Sequence, residues 1–136
     1  MPVRIVRLGS PRHRDEGLRI GTVRRPPRGV RKADFATRDF YDVWYPELAP
    51  SAELVAEGRA VEDPRAWAAF VKRFRAEMAR PEPGHTLDLL AALSRHAAFS
   101  VGCYCEDPSR CHRSVLRELL RERGALLVDD DAQLAG

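Results

Sequence analysis

Apolar and basic residues alternate in VRIVRL at positions 3–8, and this period of two predicts a β-strand with one buried face. LRIGTV at 18–23 has the same character. AFSVGCY at 98–104 is a short apolar run that predicts a buried strand, and ALLV at 125–128 predicts a last one. The chain therefore carries four candidate strands, and the second and third are separated by more than 70 residues.

The segments of the sequence between these strands show patterns typical of helices. Capping residues, prolines and glycines set their limits. We predict a short helix within 38–48, a helix capped by Ser51 and ending near Gly58, a helix starting at Asp63-Pro64, a helix opened by Thr86, and a helix running from 107–109 to Gly124. Strands interleaved with helices predict an α/β fold. We expect one three-layer domain over residues 1–136, with a mostly parallel central sheet flanked by helices and a frayed tail at 129–136.

Basic residues are concentrated at the start of the chain. Of the 23 Lys and Arg residues in the sequence, ten lie within residues 1–32, against only Asp15 and Glu16; the remainder carries 13 basic and 18 acidic residues. This skew indicates an anionic partner such as a phosphate, a nucleotide or a nucleic acid, although a solvated basic segment is an equally good interpretation.

The cellular location is predicted from the lack of membrane-spanning and secretory signals in the sequence. No apolar run is long enough to cross a bilayer, and MPVRIVRLGS lacks the apolar core of a secretory signal. Three cysteines cannot all pair, which argues against a disulfide framework. We expect a cytoplasmic protein with reduced thiols and no membrane partner.

The segment VGCYCEDPSRCHRS, residues 101–114, holds all three cysteines. Cys103 should end a strand, while Cys111 and His112 should lie in the first turn of the next helix. A helix N-terminus favours anions and lowers the pKa of a thiol. We therefore predict an anion site with a reactive thiol, in which Cys111, Cys103 and His112 are the catalytic candidates. Additional ligand contacts are expected from Arg110, Arg113 and Ser114.

Two other interpretations stay open for this segment. One is a zinc-binding interaction module with the ligands Cys103, Cys105, Cys111 and His112, although their spacing differs from paired C-x2–4-C motifs. The other is packing, in which the cysteines are small buried side chains and His112 satisfies a backbone carbonyl. The spacing C-x4-R from Cys105 to Arg110 also resembles the active loop of rhodanese-type sulfurtransferases, without the glycines that let such a loop curl.

CYCEDPSRCHRSVLRELL, residues 103–120, resembles the signature C-x-x-x-D-P-x-x-C-H-R-x-x-(L/I)-x-x-x-L of an uncharacterised bacterial family, the domain-of-unknown-function family numbered 488. VRRPPRG (23–29), DVWYPELAPS (42–51) and DPRAWAAFVKRFRAEM (63–78) resemble the short, YeaO-like branch of that family. Cys105 departs from the pattern, where a glutamate is common. The resemblance implies an α/β fold and no established activity.

The resemblance also joins an R-x-x-P-R-G loop, containing Arg24 and Arg28, to the Cys-His-Arg helix start. If the strands before these two segments are parallel neighbours, both arginines should lie close to Cys111, His112 and Arg113. The leading hypothesis is therefore a domain that binds an anionic, phosphate-bearing or nucleotide-like small molecule. A second hypothesis is nucleic-acid binding through phosphate contacts of the N-terminal arginines, namely Arg4, Arg7, Arg12, Arg14, Arg24, Arg25 and Arg28.

Overall fold

The computed structural model of the protein describes residues 2–104 and 111–128. Its centre is a parallel four-stranded sheet with the strand order β1-β4-β2-β3. The strands are β1 (Val3–Arg7), β2 (Leu18–Gly21), β3 (Val43–Trp44) and β4 (Phe99–Cys103). The predicted α/β fold with a parallel sheet is confirmed.

Strand β4 lies between β1 and β2, and this placement aligns the ends of all three. Pairing with β1 runs from Val3 opposite Phe99 to Arg7 opposite Cys103. Pairing with β2 ends with Gly21 opposite Gly102. Because the strands are parallel, the segments that follow them emerge at one edge of the sheet.

Four helices contribute to the main core: α1 (Ala52–Arg59), α2 (Pro64–Met78), α3 (Pro81–Leu93) and α4 (His112–Glu122). Ile5, Ile20 and Val101 lie opposite one another on β1, β2 and β4, and they pack in that core with helical residues such as Phe74 and Leu116. The helices therefore form the layer on this face of the sheet.

The opposite face is covered by the segment 31–42, whose only helical part is the 3-10 turn Lys32–Asp34. Tyr41 packs there with Val6 and Val23, and its ring lies where a side chain at Gly21 would be. In the described part of the chain, the third layer is thus largely irregular and contains no α-helix.

Two local predictions are confirmed by cap geometry. The Ser51 hydroxyl accepts a hydrogen bond from the Leu54 N–H at the start of α1. The Asp63 carboxylate accepts one from the Ala66 N–H at the start of α2, where Pro64 is the first helical residue. Both caps satisfy amide groups that have no partner inside the helix.

Two helix predictions are wrong. Residues 38–48 contain the short strand β3 and a 3-10 turn, Pro46–Leu48, because the chain pairs with β2 through Val43 and Trp44. Helix α3 begins at Pro81 and not at Thr86, because prolines are tolerated in a first turn, whose amides need no partner within the helix.

The predicted last strand is reduced to a single parallel bridge, in which Leu127 lies opposite Val3. The expected helix start at 107–109 and the expected tail at 129–136 lie outside the described residues. None of the helices found in residues 2–104 and 111–128 combines the length and the apolar character needed to span a bilayer.

Candidate functional site

A cleft of about 760 Å³ lies at the edge of the sheet where β2 and β4 end. The loop 23–28 forms one side, helices α1 and α2 form another, and the start of α4 lies at its floor. Its lining includes Arg24, Arg28, Cys103, Cys111 and His112. The expectation that the arginine loop and the Cys-His helix start would meet is confirmed, because β2 and β4 are parallel neighbours.

Cys103 and Cys111 are paired at the floor of this cleft. Each side chain is about 1% exposed, and the two sulfurs are joined as a disulfide. Our expectation of reduced thiols is therefore wrong for these two, since the end of β4 and the start of α4 bring them together. Their Cα atoms are 7.6 Å apart, a wider separation than the 4.4–6.8 Å that most disulfides span.

His112 is oriented by a backbone carbonyl. Its Nε2 lies 2.6 Å from the carbonyl oxygen of Thr22, and because that oxygen only accepts, Nε2 carries the proton. Nδ1 of a neutral ring then carries a lone pair, and it lies 4.0 Å from the Cys111 sulfur. The imidazole thus offers an acceptor to the sulfur pair.

The charge state of His112 follows from its surroundings. Burial is the main influence on the pKa of His112 and lowers it; the Thr22 hydrogen bond opposes this effect and the positive charge of Arg113 adds to it, and together they bring the pKa to about 4. Phe74 also contacts the ring edge-on, with centroids 5.7 Å apart. His112 is therefore neutral at neutral pH, which keeps Nδ1 unprotonated.

Thr22 is itself fixed to the central strand. Its N–H and its hydroxyl both donate to the carbonyl oxygen of Gly102, at 3.0 and 2.8 Å. Sequence reasoning anticipated that His112 could satisfy a carbonyl but did not identify Thr22. The contact is made by the Thr22 backbone, so the type of residue gave no signal. Only the position of Thr22 directly after β2 could have indicated that its carbonyl lies near His112.

The two predicted arginines of the loop differ in their surroundings. The Arg24 guanidinium donates to the carbonyl oxygens of Pro50 and Ala49, at 3.0 and 3.2 Å, and so ties the loop to the start of α1. Arg28 is exposed at the rim. Its neighbour Arg25 is also exposed there, and the Arg25 carbonyl accepts a hydrogen bond from Tyr104, which follows β4. Arg28 and Arg25 are thus better placed than Arg24 to meet a ligand.

The remaining predicted ligand residues are placed elsewhere. Arg113 is buried on α4 and does not line the cleft. The Ser114 hydroxyl donates to the Cys111 carbonyl at 2.7 Å, so it is used within the first turn of the helix. Arg110 and Cys105 lie outside the described residues.

An aromatic wall of the cleft was missed from the sequence. Trp67 and Phe70 of α2 both line it, and their rings stack with centroids 4.9 Å apart. Both residues also contact the main core. Arg59, at the end of α1, adds a further exposed cation to the lining. Nothing in the local pattern distinguishes a core aromatic from one that also borders a cleft.

Comparison with known proteins identifies the relatives of this chain. No solved structure matches the chain. The uncharacterised protein YeaO of Escherichia coli (strain K12) is 28% identical to it over 123 residues, which cover 89% of this chain and 98% of that protein. A family model, DUF488-N3a, described as the active DUF488-N3 subclade, matches residues 3–124. The chain therefore belongs to the DUF488 family.

Proposed function

We propose that the protein binds an anionic, nucleotide-like small molecule in this cleft and acts on it through the Cys111 thiol. The observation that carries the proposal is the convergence of a cationic rim and a Cys-His pair at the carboxyl edge of a parallel sheet. Open α/β sheets bind their ligands at this edge.

The charge of the lining favours an anion. Arg24, Arg25, Arg28 and Arg59 are among the lining residues, and none of the described residues that line the cleft is acidic. Guanidinium groups bind phosphate and carboxylate through paired hydrogen bonds. A ligand that spans the cleft would meet cations on two sides.

The volume of the cleft and its apolar wall indicate a ligand larger than an inorganic ion. A volume of about 760 Å³ falls in the range of sites for drug-sized ligands. Trp67, Phe70 and Val55 provide apolar surface in the same cleft. A phosphorylated molecule with a flat apolar group matches both features, because its ring contacts the wall while its phosphate meets the rim.

The proposed chemistry depends on the reduced form of the cysteine pair. Cys111 is the N-cap residue of α4, where the helix dipole favours a thiolate. His112 Nδ1 is oriented toward the Cys111 sulfur, and a thiolate formed there would favour the imidazolium and so oppose the effect of burial on the pKa of His112. An activated thiol beside a bound anion supports thiol-dependent group transfer or hydrolysis as the reaction class.

The basic N-terminal segment gives less support to nucleic-acid binding. Of the arginines predicted to contact phosphates, Arg12 pairs with Asp42 at 2.8 Å, and Arg24 donates to the carbonyl oxygens of Pro50 and Ala49. These arginines are used within the fold, and we therefore favour the small molecule.

The test is a binding titration on the reduced protein with adenosine monophosphate, inorganic phosphate and adenosine. In a Trp44→Phe background, Trp67 is the single tryptophan and its fluorescence reports on the cleft. We expect the monophosphate to bind most tightly, because it alone can use both the wall and the rim.

Arg28→Ala should weaken binding by about 10- to 150-fold, since a charge-assisted hydrogen bond contributes about 1.5–3 kcal/mol. The matched control is Arg65→Ala, on the exposed surface of α2 and outside the cleft lining, which should leave affinity unchanged. Equal affinity in Arg28→Ala and the parent, or no binding of any phosphate compound, would contradict the proposal.

A further inference from the structure

We propose that the reduced Cys103, Cys111 and His112 form a Zn²⁺ site whose open coordination position faces the cleft. The two sulfur atoms and one imidazole nitrogen all lie within 4.8 Å of one another. They come from two elements, the end of β4 and the start of α4, and α4 packs against β4.

The donor set suits zinc. Thiolate sulfur and imidazole nitrogen are the ligands that zinc prefers, and three protein ligands with one free position are typical of its catalytic sites. Cys103 and Cys111 are both almost completely buried, so a metal held by them would be shielded on the protein side. All three residues line the cleft, which leaves that side for water or an anionic ligand.

The imidazole is already oriented as a ligand. Metal-binding histidines commonly donate their other ring N–H to a carbonyl or carboxylate, which fixes the ring and the tautomer. His112 does this through Nε2 and the Thr22 carbonyl, at 2.6 Å. Thr22 is held in turn by its two hydrogen bonds to the Gly102 carbonyl. Nδ1 is thus presented to the sulfurs without rearrangement of the ring.

The backbone spacing of the two cysteines also favours a bridging ion. Their Cα atoms are 7.6 Å apart, beyond the usual span of a disulfide. Two thiolates at about 2.3 Å from one tetrahedral zinc lie roughly 3.8 Å apart, so the sulfurs have room to separate on these backbone positions.

Zinc binding takes place in two steps, reduction of the disulfide and then coordination of the metal. A phosphine reductant supplies two electrons and takes the oxygen of one water molecule to become the phosphine oxide, while the S–S bond breaks and each sulfur takes up one of the two protons of that water. Zn²⁺ then displaces both thiol protons and accepts lone pairs from the two sulfurs and from His112 Nδ1. Zinc and a thiol-alkylating reagent therefore compete for Cys111.

The experiment uses the full chain with Cys105→Ser throughout, so that only two thiols remain. The protein is reduced with the phosphine, freed of reductant without oxygen, and titrated with Co²⁺ as a spectroscopic probe. Zn²⁺ is then titrated against a chromophoric chelator. We expect one metal per chain, thiolate-to-cobalt charge-transfer absorption, and displacement of cobalt by zinc.

Cys103→Ser, Cys111→Ser and His112→Asn should each weaken zinc binding more than about tenfold, because each removes one ligand. His85→Asn, at an exposed position of α3, is the matched control and should bind as the parent does. Circular dichroism of the metal-free variants shows whether each is folded.

Absence of stoichiometric cobalt or zinc binding in the reduced parent, or unchanged affinity in folded Cys103→Ser, would overturn the metal site. The first of these outcomes is read on the parent alone and needs no variant to fold. The metal titrations contain no phosphate compound, and the nucleotide titration is run on metal-free protein, so either proposal can fail while the other stands.

Discussion

A buried ion pair between Glu16 and Arg19 anchors the face of the sheet opposite the helices. The Arg19 side chain is fully buried, and its Nε and Nη2 each lie 3.0 Å from a carboxylate oxygen of Glu16. Its Nη1 donates to the carbonyl oxygens of Ser10 and Asp39, at 2.9 and 2.6 Å. The substitution Glu16→Gln keeps the shape of this residue but removes its charge and turns one acceptor into a donor that faces the guanidinium.

The expected loss is large because the guanidinium stays buried. Breaking a buried ion pair by removing one partner costs about 3–5 kcal/mol. A domain of 136 residues has a free energy of unfolding of about 7–20 kcal/mol. An unfolding entropy of about 2.1 cal/mol/K per residue gives about 0.29 kcal/mol/K for this chain, so Tm should fall by about 10–17 °C.

The assay is thermal and urea unfolding followed by circular dichroism. Asp34→Asn is the control, because Arg31 and Asp34 form an ion pair with the same spacing of three residues at the surface, where Arg31 is 83% exposed. Exposed pairs contribute little, so this variant should stay within about 0.5 kcal/mol of the parent. If Glu16→Gln and Asp34→Asn differ by less than about 1 kcal/mol, the buried pair does not stabilise the fold as argued.

Two further predictions concern acid stability and strand packing. Burial raises the pKa of Asp42, but hydrogen bonds from the Arg12 side chain and the Arg19 N–H, with the charges of both arginines, leave it below its usual value. The resulting stabilisation is complete above the unfolded pKa of about 3.9 and is lost as the pH falls through the lower folded value. The difference in unfolding free energy between the parent and Asp42→Asn should therefore shrink from pH 6 to pH 3, and a constant difference would refute this reasoning. Gly102→Ala should lower the free energy of unfolding by about 1–3 kcal/mol in urea, because the added methyl group meets the Val6 carbonyl. The control is Gly84→Ala, which should not destabilise the protein, because the atom nearest to its added methyl group is 3.6 Å away. Equal effects of the two substitutions would rule out the clash.

Local signals in the sequence predicted the structure correctly where the contacts that form it join residues close together in the chain. Ser51 and Asp63 cap their helices through amides three residues away, so neither depends on distant parts of the fold. Residues 38–48 behave differently. Their aromatic spacing suits a helix, but Tyr41 packs against Gly21 and Trp44 pairs with the same residue across the sheet. Those contacts join positions about 20 residues apart and override local preference.

The candidate site was predictable to the extent that it follows from strand ends and a helix start. Cys111 and His112 were placed correctly because a strand leads into a helix there, and the parallel arrangement brought Arg28 to the same cleft. The Thr22 carbonyl and the Trp67 wall were not predictable in this way. A carbonyl has no residue type to identify it, and an amphipathic stripe looks the same whether or not a cleft borders it.

The two proposals for the cleft are compatible because of how charge is distributed in it. The reduced Cys103 and Cys111 thiols with neutral His112 carry no net charge. Binding of Zn²⁺ displaces two protons, so the metal with its two thiolates is also neutral. Proton transfer from Cys111 to His112 produces an ion pair that is again neutral overall. Apart from the open coordination position of the metal, the positive charge that attracts an anion in each of these states comes from Arg25, Arg28 and Arg59 at the rim. The affinity for the phosphate should therefore depend on the arginines whether or not zinc is bound, while the reactivity of the thiol should depend on whether His112 Nδ1 is bound to a metal or free to accept a proton.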